Sequence, residues 1–484
     1  MKAIKINILI FAGISAALLC AQARPLRAEE YSVPAISVST RTLGQRVDLL
    51  ESQVESMRRE LQLVGAHEPA GAFSRPRMAI GPENPPAGES FAGLSGFSLR
   101  SPDGNFKIQF QGIIQTDGRF YTGSGSNPAA YAPAVNASGQ APVTSGFFLR
   151  RARPVLAGNV SGFYDFFFQP DFGLNTVGID DSFLDVRPWS FANLRIGKFK
   201  PPLGLERLRA ASDLTFMERG LTADLMPSRD TGVEFFGGLL GDAFTYQASF
   251  TNGTADAAHA IDSPSGNAKE LVARTFFQPL KNSGRRKLEN LGFGFAGSYA
   301  ASNPGVPVFR TAIGQEQFMS YRNTVAFSGE QIHLVPQASY YLGPVAVYAE
   351  YAQTSQVAQA GNARARLTNR AWQSAASWVL TGEDASYEGV IPKKVFDPRA
   401  GTWGAWEVDA RLHQLQLDPK TFPTFADSSV SASRATAYTL ALNWYLNNFV
   451  RLAVDYEQTW FAGGNGTGNR PIERIIGMRS QLAF

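Results

Sequence analysis

Beyond residue 100 the chain alternates apolar and polar residues with a period of two. In the last stretch Leu482, Ser480, Met478, Ile476 and Ile472 share one face, with Arg474 the exception. Gln481, Arg479, Gly477, Ile475 and Glu473 fill the other. Phe106, Ile108, Phe110, Ile114 and Phe120 likewise stand against Lys107, Gln109, Gln111, Gln115, Asp117 and Arg119, and Trp406, Val408, Ala410 and Leu412 against Glu407, Asp409, Arg411 and His413. This rhythm predicts strands with one apolar and one polar face. A soluble sheet has the same alternation, so strand length separates the two cases. Several segments run to about 10 residues or more, near the ~9–11 of a tilted membrane-spanning strand and above the ~5–6 usual elsewhere. Aromatic residues gather at segment ends (Phe120-Tyr121, Trp444-Tyr445, Trp460-Phe461), where a bilayer interface would lie. The pattern predicts an all-β fold, a transmembrane antiparallel β-barrel over 101–484. At roughly 20–25 residues per strand and connection, that span allows about 16 strands, up to 18, and a water-filled lumen.

The residues before 101 follow other rhythms. Leu43, Val47, Leu50, Val54, Met57, Leu61 and Val64 are spaced as a heptad, which predicts a short N-terminal coiled-coil helix over 40–65. A lone amphipathic helix docked on another surface fits the same spacing. Residues 66–100 are rich in Pro, Gly and Ala and read as a linker. At the start, Lys2 and Lys5 precede an apolar run too short to span a bilayer, the pattern of a secretory signal peptide over 1–28. Cleavage after Ala23 or Ala28 fits the small residues there. Cys20 follows Leu19, a poor acylation context because the preceding residue is not small. A closing strand that ends in Phe484 resembles the C-terminal assembly signal of bacterial outer-membrane barrels.

Composition agrees. Hydrophobic residues make up 44% of the chain, yet no stretch after residue 30 approaches the ~18 consecutive apolar residues of a helical span. Only 18% is charged, against about 25% in soluble domains. Losing the signal peptide removes the single cysteine, so the mature chain has no disulfide and no thiolate metal site. A cut after Ala28 also removes Lys2, Lys5, Arg24 and Arg27 and no acid, which takes the formal charge from +4 to zero. The basic pI is therefore no argument for a nucleic-acid partner.

Specific runs carry a family resemblance. Phe148-Leu149-Arg150-Arg151-Ala152-Arg153, Ile196-Gly197-Lys198-Phe199-Lys200-Pro201 with Gly204-Leu205-Glu206, and Phe216-Met217-Glu218-Arg219 resemble the phosphate-selective porin O/P family. So do Asp230-Thr231-Gly232-Val233, Trp403-Gly404-Ala405-Trp406-Glu407-Val408 and Leu442-Asn443-Trp444-Tyr445-Leu446-Asn447. The matches are spread from about residue 100 to the C-terminus. The resemblance implies an outer-membrane porin of 16 strands, a homotrimer in a Gram-negative cell, whose third extracellular loop folds inward to narrow the pore. Its implied cargo is small anions, with phosphate the candidate.

An anion-selective pore needs fixed cations along a narrow stretch, and arginine suits phosphate through paired hydrogen bonds. The candidates where the family places its constriction are Arg150, Arg151, Arg153, Lys198 and Lys200, with Arg207, Arg209, Arg219 and Arg229 in the segment expected to fold inward. Strict alternation puts Arg151 and Arg153 on one face and leaves Arg150 facing lipid unless a bulge intervenes. Lys198 and Lys200 likewise oppose Arg195, which places the turn into the loop near Gly197. Lumenal arginines that pair with Asp165, Asp171, Asp181, Asp185, Glu206, Asp213 or Glu218 would set a field without selecting phosphate. Arg364, Arg366 and Arg370 sit in a Gly/Ala-rich stretch that reads as a loop.

Enzyme chemistry is poorly represented. Gly292-Phe293-Gly294-Phe295-Ala296-Gly297 matches a dinucleotide fingerprint but lies in an alternating strand with no helix after it. The four histidines are scattered; His413 falls on a polar strand face and reads as pore-lining. No enzyme, cofactor or metal is expected. Partners are small anions, outer-membrane lipid, further copies of the chain and, through the coiled coil held in the periplasm, peptidoglycan. A non-selective barrel that mainly anchors the envelope through its coiled coil is the alternative.

Overall fold

A computed structural model describes residues 90–93, 96–123, 144–259, 267, 269–285, 287–302, 305–466 and 468–484. The signal peptide, the heptad helix and the linker up to residue 89 lie outside the described residues. Sixteen strands form the wall. The first five are β1 (Phe106–Tyr121), β2 (Gly146–Val160), β3 (Tyr164–Asp171), β4 (Gly178–Val186) and β5 (Asn193–Phe199). Next come β6 (Asp230–Leu239), β7 (Phe244–Thr251), β8 (Glu270–Phe277), β9 (Gly292–Ala300) and β10 (Ala326–Leu342). The last six are β11 (Val345–Ala360), β12 (Ala363–Val379), β13 (Ala405–Gln416), β14 (Ala432–Tyr445), β15 (Val450–Asn465) and β16 (Glu473–Ala483).

Each strand pairs antiparallel with the next. β16 then pairs back onto β1, from Ile475 opposite Tyr121 to Ala483 opposite Ile113. Closure leaves no sheet edge to be satisfied in hydrocarbon, which is why alternating strands can replace apolar helices in a membrane. The alternation maps as the sequence predicts. Gln109, Gln111, Gln115, Asp117 and Arg119 of β1 and Arg479 and Gln481 of β16 are buried inside, while Ile108, Phe110, Ile114, Met478 and Leu482 are exposed outside. Two aromatic girdles flank the apolar band. At the end holding the C-terminus, Trp406 stacks on Trp444 at 4.8 Å. Toward the opposite end, Tyr438 lies 5.9 Å from Tyr456 and 5.6 Å from Trp460.

The wall is uneven. β3–β9 have 7 to 10 residues each and β10–β16 have 11 to 17. Arg364, Arg366 and Arg370 belong to this long wall as part of β12, a correction to their reading as a loop. Strand pairing also begins before residue 101. Ser90–Gly93 pairs with Gly96–Arg100, which pairs with β1 at Phe97–Phe110 through Arg100–Lys107. Residues 96–100 are therefore strand and not linker, because Phe97 and Leu99 alternate with Ser98. The Phe484 ring sits over Gly112, 6.1 Å from Phe97 and 6.2 Å from Phe110.

Candidate functional site

Residues 200–229, the connection from β5 to β6 and the third at the end opposite the C-terminus, fold into the lumen. Their composition explains it. Leu203, Leu205, Leu214, Phe216, Met217, Leu221, Leu225 and Met226 are all buried, and the polar groups among them meet polar side chains on the inner wall. Glu206, in the single-turn helix α1 (Leu205–Leu208), accepts from Arg411 at 3.1 Å and Gln373 at 3.0 Å. Thr222 donates to Glu350 at 2.9 Å, and the Met217 amide donates to Asp455 at 2.9 Å. Asn443 and Arg451 donate to the carbonyls of Thr215 and Leu214 at 2.9 and 2.7 Å. The loop thus crosses from the β5–β6 wall to β11–β15. Gly477 on β16 makes room for it, since a Cβ there would stand 2.7 Å from the Met217 sulfur.

Glu218 fastens the loop to the arginine side. Its carboxylate meets Arg150 at 2.6 Å, Arg119 at 2.9 Å, and Arg151 and Arg479 each at 3.2 Å. Burial alone would raise its pKa, but the guanidiniums, Arg150 foremost and then Arg151, Arg479 and Arg119, hold it well below the usual carboxylate range. Asp117 meets Arg479 at 2.6 Å and Arg119 at 3.3 Å. Four guanidiniums face two carboxylates here.

Beside this cluster lies a cavity of about 470 Å³, between the loop, the β2–β5 wall and the 305–315 connection. Eight cationic side chains line it: Arg150, Arg151, Arg153, Lys198, Arg207, Arg219, Arg229 and Arg310. Four carboxylates do so, on Asp171, Asp180, Glu218 and Asp224. Seven of the nine cations nominated from the sequence, all but Lys200 and Arg209, are therefore brought together. Arg150 faces inward because of a bulge: Gln115 of β1 pairs with Arg151 and Thr116 with Leu149, so Arg150 is the extra residue. Arg153 bonds Asp171 and Asp180, each at 2.7 Å.

Lys198 reaches the cavity by a different route from a turn at Gly197. β5 keeps its pairing through Phe199, and the alternation breaks at Gly197 itself, whose φ of 138° is open to glycine. A Cβ there would collide with the Ser182 carbonyl. The turn into the loop therefore starts after Phe199.

The remaining candidates brace the loop. Lys200 donates to the carbonyls of Leu208 and Arg209 at 3.1 and 2.6 Å. Arg209 donates to the Thr215 hydroxyl at 2.9 Å and the Asp213 carbonyl at 2.6 Å. Arg219 lines the cavity while donating to the carbonyls of Glu206 and Arg209 at 3.1 and 2.6 Å. Arg207 donates to the carbonyls of Ala223 and Met226, and Arg229 meets Asp181 at 3.0 Å. Asp224, in the loop, is pushed up to about 7 by burial, against the Arg310 amide and the charges of Arg207 and Arg310.

Sequence reading missed Arg310, which arrives on a distant connection. It placed Arg119 and Arg479 on inward faces without linking them to Glu218. His413 does not line an open pore: it is fully buried and accepts from the Leu221 amide at 3.2 Å, holding the loop. A Ser/His/carboxylate grouping also went unseen. Ser298 Oγ lies 2.6 Å from His333 Nδ1, and His333 Nε2 lies 2.8 Å from Asp256. Glu270 accepts from Ser298 at 2.5 Å. All four residues are buried, so the hydroxyl is shut from solvent and the group ties the connection after β7 to the wall.

A model of the family described as phosphate-selective porin O and P matches residues 126–460. Porin O of Pseudomonas aeruginosa is 23% identical over 399 residues, covering 75% of this chain and 84% of that protein. The outer membrane channel DcaP of Acinetobacter baumannii superposes with a TM-score of 0.50 at 11% identity, covering 81% of this chain and 100% of that one. The likeness to DcaP is one of fold.

Proposed function

The chain belongs to the phosphate-selective porin O and P family and is an outer-membrane porin; we propose that small anions, phosphate foremost, diffuse passively through it past the arginine-lined cavity. The observation that carries this reading is the excess of eight cations over four carboxylates around one cavity at the inward loop. In a narrow stretch with low-dielectric walls such an excess concentrates anions. Arginines offer phosphate paired donors. The carboxylates interleaved with them weaken the site, and a channel needs that weakness because its cargo must leave. In this reading Arg150, Arg151, Arg153, Lys198, Arg207 and Arg219 contact the passing anion, and Lys200 and Arg209 keep the loop in place. The functional unit is a homotrimer, with the N-terminal heptad in the periplasm joining copies and reaching peptidoglycan.

The heptad also favours a second reading, a barrel that serves mainly as an envelope anchor. Pulldown of the full chain on cell wall, with and without residues 40–65, separates the two, since a pure pore needs no such affinity. The channel reading is tested by R151E/R153E in a planar bilayer under a salt gradient. The reversal potential is expected to move from anion toward cation preference. An unchanged reversal potential would remove those side chains from the narrow stretch.

A further inference from the structure

Beyond the aromatic girdle at the end opposite the C-terminus, the outward face of the long wall changes character. On β12 the outward positions past Trp372 are Arg370, Thr368, Arg366 and Arg364, and the three arginines are exposed. On β14 the outward residue beyond Tyr438 and Thr436 is Arg434, also exposed. Register places Arg370 and Arg434 on either side of Gln416 of β13, so they stand about 10 Å apart across two strand spacings. Arg474 continues the band on β16.

Counter-charge is sparse. Glu330 of β10 meets Arg366 at 2.6 Å. Asp418 is engaged by the amides of Thr368 and Lys420 at 2.8 and 2.9 Å. Arg370 and Arg474 each donate to a neighbouring glutamine, Gln353 and Gln458, at 3.2 Å. Among the described residues the side chains of Arg364 and Arg434 form no ion pair or hydrogen bond.

We propose that this band binds the phosphate groups of anionic lipids in the leaflet it faces. Girdle Trp and Tyr mark the level of the headgroups, and side chains just beyond them stand where lipid phosphates lie. Arginine spreads its stem over apolar surface and sends its charge to the interface. Its planar fork pairs with phosphate oxygens, and each basic side chain near an anionic surface adds to the attraction. The strands around it supply an apolar wall for the acyl chains, so headgroup and tail contacts run along one surface. None of these arginines faces the lumen, so the proposal stands apart from any anion selectivity of the channel.

The test is native mass spectrometry of the full chain titrated with bis-phosphorylated lipid A, with its dephosphorylated form, and with inorganic phosphate as competitor. Wild type is expected to hold the phosphorylated lipid about tenfold more tightly than R364Q/R370Q/R434Q. The dephosphorylated form should bind wild type no better than the phosphorylated form binds that variant. R434Q alone, at a side chain that makes no described hydrogen bond or ion pair, should lose part of the same affinity and guards against a triple variant that folds poorly. Unaltered single-channel conductance shows that each variant barrel is intact. Equal binding of the phosphorylated lipid to wild type and both variants would overturn the proposal. So would equal binding of the two lipid forms to wild type, or displacement of the lipid by inorganic phosphate that R151E/R153E abolishes, which would move the binding into the lumen.

Discussion

At Glu218 one carboxylate faces Arg119, Arg150, Arg151 and Arg479. Taking it away leaves four cations with Asp117 as the nearest remaining counter-charge. Breaking a buried ionic cluster by removing one partner costs about 3–5 kcal/mol. E218Q is therefore expected to lower the melting temperature of the detergent-solubilised barrel and, because the cavity gains positive charge, to raise its anion-to-cation permeability ratio. A melting temperature equal to wild type would mean that the cluster is screened by lumenal water.

Asp224 is expected to make the ion preference depend on pH. With its carboxyl pushed up to about 7 by burial, it is mostly neutral below that pH, and the cavity then opposes its eight cations with three carboxylates instead of four. Arg207 and Arg310 attract its charged form and Asp256 repels it. Anion preference should strengthen as pH falls through 7 and weaken as pH rises. D224N should fix the low-pH behaviour, with reversal potentials flat between pH 6 and pH 8. A slope that survives in D224N assigns the titration elsewhere.

Among the elements, the inward loop is expected to set conductance. Its hold on β11–β15 is a set of bonds from wall side chains to loop backbone and to the Glu206 and Thr222 side chains, so shortening residues 205–225 to a glycine linker should raise single-channel conductance and erase ion preference together. A milder probe is Gly477→Val. The added side chain meets Met217 beside Glu218, and overpacking of this kind costs about 1–3 kcal/mol. Altered conductance with normal assembly is expected; an unchanged trace would mean that Met217 swings aside without moving the loop.

Elements also show where sequence reading stops. Alternation is a local signal, so strand faces such as Gln115, Asp117 and Arg119 on β1 were legible. The inward turn of Arg150 was not, because a bulge is defined by the partner strand and a single strand carries no mark of it. Arg364–Arg370 read as loop because the stretch is rich in Gly and Ala and its outward positions lack an apolar stripe. Those positions stand beyond the apolar band, where a spanning strand no longer needs a greasy face. The meeting of Glu218 with Arg479, and of Arg310 with Arg151 around one cavity, joins residues far apart in the chain. Nothing in the spacing of either announces it.

For the whole molecule, closure of β16 on β1 fixes everything else, since the loop can reach the far wall only in a closed ring. Phe484 packs at that seam against Phe97, Phe110 and Gly112. F484A should destabilise the barrel by about 2 kcal/mol through lost apolar contact, seen as a lower melting temperature with unchanged ion preference. A changed preference with unchanged stability would mean that the seam communicates with the cavity. The ring, the loop and the cation excess together amount to one claim: anions bind, weakly, where the loop narrows the lumen. Its most direct test is to titrate inorganic phosphate against chloride current through the reconstituted channel. Saturable block that R151E/R153E removes is the expected result. Conductance that simply adds the two anions, without block at any concentration, would contradict it and leave the arginines as the ion-paired frame of an unselective pore.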